Sequence, residues 1–333
     1  MKTKTLLSLA TGIALVLGSA ASAETVWKMA TKMPVDSPEG QVFQKFADLT
    51  DQYTNGELKI TVYPNEQLGK EDAVLEQLQA NIIQIYAEGF GYMKKWEPAL
   101  GWLSGPFAFD DYDHWQRFMN SDTVKGWFDK AAAESGVRPL GDPTRILRGP
   151  FRVTVSNVPV KTADDYVGLK LRMHENKVAI ETWDTLGAEV ITMPWTEVYQ
   201  GISKGIVQAV NSPIALVESM RFTEVAPYVA RMDEYWQSVG FMVNESALNA
   251  LDEETRAGLL KAYDEAGDMS QTLMFDVADK TIEDMEGNGV TYTVLDTAPL
   301  VAKMKAYYAD MDAKGELPDG FMEAIEASRT ASQ

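Results

Sequence analysis

Arg152 and Arg172 are the residues of this chain best placed to do chemistry. Each sits inside an apolar, alternating run: Phe151-Arg152-Val153-Thr154-Val155 and Leu169-Lys170-Leu171-Arg172-Met173. Successive strand residues face opposite sides, so Phe151, Val153 and Val155 take one face and Arg152 the other, and Arg172 is placed in the same way. A guanidinium is a permanently charged planar fork that matches a carboxylate bidentately. A strand also holds it more rigidly than a loop does. Two such arginines on adjacent strands can meet one carboxylate or two; the competing reading is charge at a solvated strand edge. Asn211 closes the strand ending Val207-Gln208-Ala209-Val210 and precedes Ser212-Pro213. It is either a helix cap or turn residue, or an amide that holds a carboxylate oxygen. Trp195 follows Met193-Pro194 at a strand–helix junction, as core or as an apolar wall against a ligand.

Signatures of catalysis are scarce. The chain has two histidines, His114 and His174, far apart, and no cysteine. Thiolate catalysis, disulfides and Cys-ligated zinc are therefore excluded. G-x-S-x-G, H-E-x-x-H, Walker and G-x-G-x-x-G patterns are absent. Carboxylates are too numerous for any pair to stand out as a general acid and base. The run Asp110-Asp111-Tyr112-Asp113 with His114 reads as a polar turn or helix start rather than a metal site. The formal net charge is −19. Nucleic acid and anionic membrane surfaces are poor partners for such a chain. An anionic ligand would have to be held by local cations against the overall field.

The elements that must position these residues alternate. Thr25 to Thr31 reads as a strand. Ser37 caps a helix with Pro38 at its first position, and Leu58, Ile60 and Val62 alternate as a second strand. Lys70 to Gln79 is a helix and Ile82 to Ala87 an apolar run. From residue 150 the pattern repeats, with a helix over Lys177 to Leu186 ended by Gly187. A long helix runs from about Glu253 to Glu286, weakly interrupted by Gly258 and Gly267. A last helix from about Leu300 to Met311 precedes a polar tail. This alternation predicts an α/β protein with largely parallel sheets, arranged as two lobes with a cleft at the strand ends. Lobe I is expected over 24–149 plus about 238–278, and lobe II over 150–237 plus about 279–333. The chain crosses between them near 148–150, near 236–238 and along the long helix.

The first residues read as an export signal. Lys2 and Lys4 precede an apolar stretch from Leu6 to Leu17, and Ala21-Ser22-Ala23 is an A-x-A-like cleavage site. Residues 1–23 are thus expected to be a cleavable signal peptide, with the mature chain in the periplasm.

Several blocks together resemble the substrate-binding proteins of tripartite ATP-independent periplasmic (TRAP) transporters, the DctP family. They are Tyr63-Pro64-Asn65-Glu66-Gln67-Leu68-Gly69 with Leu75-Glu76-Gln77-Leu78, then Gly168-Leu169-Lys170-Leu171-Arg172. Ala179 to Gly187, Met193-Pro194-Trp195-Thr196-Glu197-Val198-Tyr199 and Asn211-Ser212-Pro213 follow in order. The resemblance implies a periplasmic-binding-protein-like α/β fold of two lobes, a central cleft and a long helix spanning both. It implies that Arg172 salt-bridges a ligand carboxylate with support from Arg152 and Asn211. Trp195 would pack on the ligand and Glu88 would read its distal part. Lys32, in the turn after the first strand, joins this ligand set. The chain departs from the family pattern at Ala80-Asn81-Ile82-Ile83-Gln84, at Met173-His174, and by a serine between Asn211 and Pro213.

The expected function is capture of a small organic anion and delivery to TRAP membrane permease subunits, by a monomer with no cofactor, no metal-ligating residues and no nucleic-acid partner; whether a metal ion accompanies the ligand stays open. A secreted carboxylate-dependent hydrolase and a periplasmic ligand-sensing subunit are the alternatives. Glu88 beside Tyr86, with Trp195 and Tyr235 or Trp236, suits a ligand with a hydroxyl- or amine-bearing or apolar body. Sugar, hydroxy, keto and aromatic acids and amino-acid derivatives all remain open.

Overall fold

The computed structural model describes residues 25–329; the expected signal peptide lies outside them. The strands β1 (Thr25–Ala30), β2 (Leu58–Tyr63), β3 (Ile85–Glu88), β4 (Val137–Pro139), β5 (Arg152–Ser156), β6 (Lys170–Met173), β7 (Glu189–Thr192), β8 (Ala209–Pro213), β9 (Tyr228–Arg231), β10 (Gly240–Asn244) and β11 (Thr291–Val294) form two sheets. Their orders are β2-β1-β3-β10-β4 and β11-β9-β5-β8-β6-β7. Around them lie the helices α1 (Pro38–Tyr53), α2 (Glu71–Gln79), α3 (Tyr112–Met119), α4 (Asp122–Ser135), α5 (Lys177–Leu186), α6 (Val198–Ser203), α7 (Glu245–Ala250), α8 (Glu253–Gly287), α9 (Ala298–Lys314) and α10 (Phe321–Arg329). No helix among the described residues is long and apolar enough to cross a membrane.

The sheets are mixed, not largely parallel. β10 runs antiparallel to β3 and β4, and β5 antiparallel to β8 and β9. The reason lies in the chain path. Strands fed by helices on the sheet faces point their carboxyl ends at the cleft. A strand that has just crossed from the other sheet starts at the cleft edge and must run the other way. The register shows this: Gly240, where β10 begins, pairs with Glu88, where β3 ends. Arg152, where β5 begins, pairs with Pro213, where β8 ends.

Local signals account for the helices nearest the cleft. Ser37 accepts from the Gly40 N–H at 3.0 Å, with Pro38 opening α1. The buried face of α1 sets Phe43 and Phe46 edge-on to Phe241 of β10, at ring-centroid distances of 5.6 and 4.9 Å. Helix α5 occupies the expected residues and ends at Gly187, whose φ of 103° is left-handed. The long helix α8 packs on α1 at one end and on β11 and the 3-10 turn Ile214–Leu216 at the other, so it spans both sheets. Its glycines are points of close contact, not interruptions. A Cβ on Gly258 would lie 2.7 Å from the Tyr53 carbonyl oxygen, and one on Gly267 2.5 Å from the Arg145 Cγ.

The segment expected as a polar tail is helix α10, which buries Phe321, Ala324 and Ile325. In this stretch α9 packs on α5, and α10 packs on α3. The His114 ring nitrogen Nε2 meets the Ile325 carbonyl at 2.9 Å, and Asp111 caps α3 through the His114 N–H at 2.7 Å. A helix of nine residues with three buried apolar positions was hidden by its polar surface and its short length.

Candidate ligand-binding site in the cleft

The six expected site residues come together. Lys32, Glu88, Arg152, Arg172, Trp195 and Asn211 all line one cavity between the sheets, enclosing about 530 Å³ of atom-free space that is partly open to solvent. Each stands at or beside the cleft end of a strand. Lys32 follows β1, Glu88 ends β3, and Arg152 begins β5. Arg172 lies near the end of β6, Asn211 lies within β8, and Trp195 opens the 3-10 turn after β7.

Two details differ from expectation. Arg152 and Arg172 are not on adjacent strands, because β8 lies between β5 and β6. Asn211 is neither a cap nor a turn residue. It is a strand residue paired with Thr154, one position beyond Val210, which pairs with Arg172. The amide therefore stands on the strand between the two guanidiniums. Thr154 Oγ1, which also contacts the Tyr166 hydroxyl at 2.6 Å, donates to Asn211 Oδ1 at 2.7 Å. That bond leaves the Asn211 Nδ2 donor buried without a hydrogen-bond partner among the described residues.

The two arginines differ electrically. Arg152 directs Nε to Glu234 Oε2 at 3.4 Å and Nη2 to the Asn211 carbonyl at 3.3 Å, and its guanidinium lies 4.1 Å over the Tyr235 ring. Glu234 is fully buried, and it also accepts from the Trp183 indole N–H at 2.7 Å. Burial pushes the Glu234 carboxyl up, while the Arg152 guanidinium and the Trp183 indole N–H pull it back. Arg172 donates Nε to the Met193 carbonyl at 2.8 Å and sits 5.4 Å from the Trp195 ring. It is 5 % exposed, and no described carboxylate lies within ion-pair distance of it. Burial holds its pKa below the ordinary arginine value. A buried cation without a counter-ion is costly, and a bound anion would relieve that cost.

The opposing wall is a chain of paired charges. Arg148 meets Glu39 twice, Nε to Oε1 at 2.9 Å and Nη2 to Oε2 at 3.0 Å, and its Nη1 meets Glu88. Lys32 Nζ reaches Glu71 at 2.7 Å, the Tyr92 hydroxyl at 2.8 Å and Glu88 at 3.4 Å. Burial would raise the Glu88 carboxyl, but Arg148, Lys32 and the Gly89 N–H outweigh it and bring it down to about 2. Burial also works against the charge on Lys32, yet Glu88 and Glu71 hold its pKa above the usual lysine value. Trp195 is buried edge-on to Phe222 at 5.3 Å, its indole N–H without a partner among the described residues.

Sequence reasoning missed Arg148, Glu39, Glu234, Tyr92 and the site role of His174. The one available signal was positional: Arg148 lies in the crossing segment near 148–150, where a charge has to face the cleft or a partner. Of the aromatics weighed, Tyr235 lines the cavity, while Tyr86 and Trp236 do not. His174 is half-buried beside Tyr92 and lines this cavity and the two that adjoin it. Burial first, then the charges of Arg172, Lys32, Lys94 and Arg152, keep its pKa well below the ordinary histidine value.

The model of the family described as "Bacterial extracellular solute-binding protein, family 7", DctP, matches residues 29–314. The C4-dicarboxylate-binding periplasmic protein DctP of Rhodobacter capsulatus is 29% identical over 286 residues, covering 85% of this chain and 84% of that protein. The sialic acid-binding periplasmic protein SiaP of Vibrio cholerae is 28% identical over 302 residues, covering 90% and 92%. The crystal structure of a TRAP periplasmic solute binding protein from Ochrobacterium anthropi with bound L-fuconate superposes with a TM-score of 0.82. It is 26% identical and covers 92% of this chain and 99% of that one.

Proposed function

Because this chain belongs to the bacterial extracellular solute-binding proteins of family 7, the DctP family, we propose that it captures a small organic carboxylate outside the cytoplasm and delivers it to the membrane subunits of a TRAP-type secondary transporter. Its relatives carry names of periplasmic proteins that bind acids, among them C4-dicarboxylates and sialic acid. Export by a cleavable signal peptide, residence in the periplasm and a monomeric state belong to the same proposal.

One observation carries the ligand reading. Arg172 is a buried guanidinium with no carboxylate partner among the described residues, in a cavity where the other three lining cations, Lys32, Arg148 and Arg152, each have one. Arg172 receives the ligand carboxylate and Asn211 Nδ2 donates to it. Arg152, paired with Glu234, donates to the Asn211 carbonyl and so orients the Asn211 strand. Trp195 walls the ligand, and Lys32 and Glu88 close the opposite side. No bond is made or broken and no cofactor is needed. A hydrolase with a carboxylate pair is disfavoured, because among the described residues Glu88 is the one carboxylate lining the cavity, and Arg148 and Lys32 hold its pKa well below the usual carboxylate value.

The test is Arg172→Ala in a thermal-shift screen of carboxylates followed by calorimetry. Losing a buried, charge-assisted contact should cost about 2–5 kcal/mol in binding, so ligand-induced stabilisation should disappear. An affinity unchanged from the parent protein would refute the assignment.

A further inference from the structure

A second cavity adjoins the one that holds Arg172. It encloses about 600 Å³ of atom-free space, partly open to solvent, and shares Tyr92, His174, Tyr235 and Gln237 with the first. These side chains form the passage between the two spaces. Lys32, Glu88 and the three arginines line only the first.

The far chamber is walled by hydrocarbon. Phe90 comes from the 3-10 turn Phe90–Lys95 after β3, and Leu103 follows the next such turn, Pro98–Trp102. Trp115 and Met119 come from α3, and Val178 and Ala179 from the first turn of α5. All six are buried. Local rules place them. Trp115 and Met119 are four positions apart, so the helix sets them on one face. Phe90 packs against Gly240, where a Cβ would lie 2.7 Å from three ring atoms, and edge-on to Phe128 at 5.1 Å.

The polar groups of that chamber are spent inside the protein. The Trp115 indole N–H donates to the Leu103 carbonyl at 2.9 Å, and the Ser238 hydroxyl to the Pro143 carbonyl at 2.6 Å. The Asn176 amide donates to the Gly101 carbonyl at 3.2 Å, while its oxygen accepts from the Ala179 N–H at 3.2 Å. Ser104 donates to the Trp236 carbonyl at 3.4 Å, and the half-buried Lys94 to the Glu175 carbonyl. A hydroxyl carried into this space exchanges water for carbon, which is costly. A hydrocarbon group placed there loses only unfavourable hydration.

We propose that this chamber receives the tail of the ligand, and that the chain therefore prefers carboxylates ending in a branched alkyl or phenyl group over polyhydroxylated acids of similar length. The inference rests on reading the cleft as a carboxylate site, with the ligand body passing between Tyr92, His174, Tyr235 and Gln237. Polar atoms next to the carboxylate stay within reach of those four side chains. Atoms beyond them meet Phe90, Leu103, Trp115, Met119, Val178 and Ala179.

Acids that share a 2-hydroxy acid head and differ in the tail test this: 2-hydroxyisocaproate against xylonate, and phenyllactate against gluconate, with lactate as the head alone. Each is titrated calorimetrically into the mature chain. At least one hydrocarbon acid should bind about tenfold or more tightly than both its polyol partner and lactate. Ala179→Met fills the chamber from α5 and should shrink the ratio of hydrocarbon acid to lactate several-fold. Leu103→Ala widens the chamber and should shift preference from 2-hydroxyisocaproate toward phenyllactate. A polyol acid that binds as tightly as its hydrocarbon partner, in a manner lost in Arg172→Ala, overturns this inference alone. So do ratios unchanged in both folded variants. If neither variant folds, the wild-type ratios decide. Silence of the hydrocarbon acids while another carboxylate binds through Arg172 also overturns this inference alone. Silence of every carboxylate, or binding indifferent to Arg172, overturns the carboxylate reading and this inference with it.

Discussion

Glu234 is the counter-ion of Arg152, 3.4 Å from its Nε, with both side chains buried. They lie 82 positions apart in sequence, one at the start of β5 and the other in the segment returning to β10. The pair separates the roles of two arginines that look alike in sequence: Arg152 arrives already neutralised, and Arg172 does not.

Breaking this pair should hurt folding more than binding. Glu234→Ala leaves Arg152 buried without a partner, and such a loss costs about 3–5 kcal/mol. Glu234→Gln should cost less, because an amide still accepts from Trp183. Urea denaturation of the ligand-free proteins measures the difference. Equal stability of Glu234→Ala and the parent would show that Arg152 reaches solvent or another anion.

The half-buried His174 should make stability depend on pH. The His174 pKa is depressed in the folded protein by burial and by Arg172, Lys32, Lys94 and Arg152, whereas the unfolded value is about 6.5. Below about pH 6.5 the unfolded chain takes up a proton that the folded one refuses. Its contribution is therefore full above that pH and is lost as pH falls toward the folded value, at no more than about 1.4 kcal/mol per pH unit. His174→Gln should flatten the decline in stability between about pH 6.5 and 5. Parallel curves for the two proteins would place the proton elsewhere.

The edges of the cleft are joined by contacts of a weaker kind. Lys70 meets Glu197 at 2.8 Å and Thr196 donates to Glu66 at 2.9 Å, each bond joining the loop or helix end near α2 to the turn after β7. The Lys70 and Glu197 side chains are 64% and 54% exposed, so solvent screens the pair. Lys70→Ala and Glu197→Ala should each speed ligand release by less than about fivefold, and the effect should vanish at about 0.5 M salt. Stopped-flow release rates at two ionic strengths check this. A loss matching that of Arg172→Ala would make the latch, not the clamp, the main source of affinity.

Gly258 sets two local effects against each other. Alanine is a better helix former than glycine by about 1 kcal/mol, which alone would stabilise α8. The new Cβ would lie 2.7 Å from the Tyr53 carbonyl oxygen at the end of α1, and backbone at a helix terminus moves reluctantly. Overpacking of this kind costs about 1–3 kcal/mol. Gly258→Ala should therefore lower the melting temperature, and a rise would show that α8 can shift away from α1.

What the sequence determined by itself was local or short-range. The alternation around Arg152 and Arg172 placed both on strands. Ser37-Pro38 started α1, Gly187 stopped α5, and ordered blocks from Tyr63 to Pro213 pointed to the family. These follow from the two-residue period of a strand, from the orphan groups of a helix end and from the special backbone of glycine, all properties of neighbouring residues. The tertiary structure decided which charge is left over. Arg148 finds Glu39 across 109 positions and Glu88 across 60, and Arg152 finds Glu234 across 82. It also decided that β8, carrying Asn211, lies between the two arginine strands. A counter-ion is chosen by what packs beside it in space, and burial sets how much an unmatched charge costs. Neither quantity has a period or a motif: the family resemblance pointed to Arg172, but only the folded chain shows that it is the cavity arginine left without a carboxylate partner among the described residues.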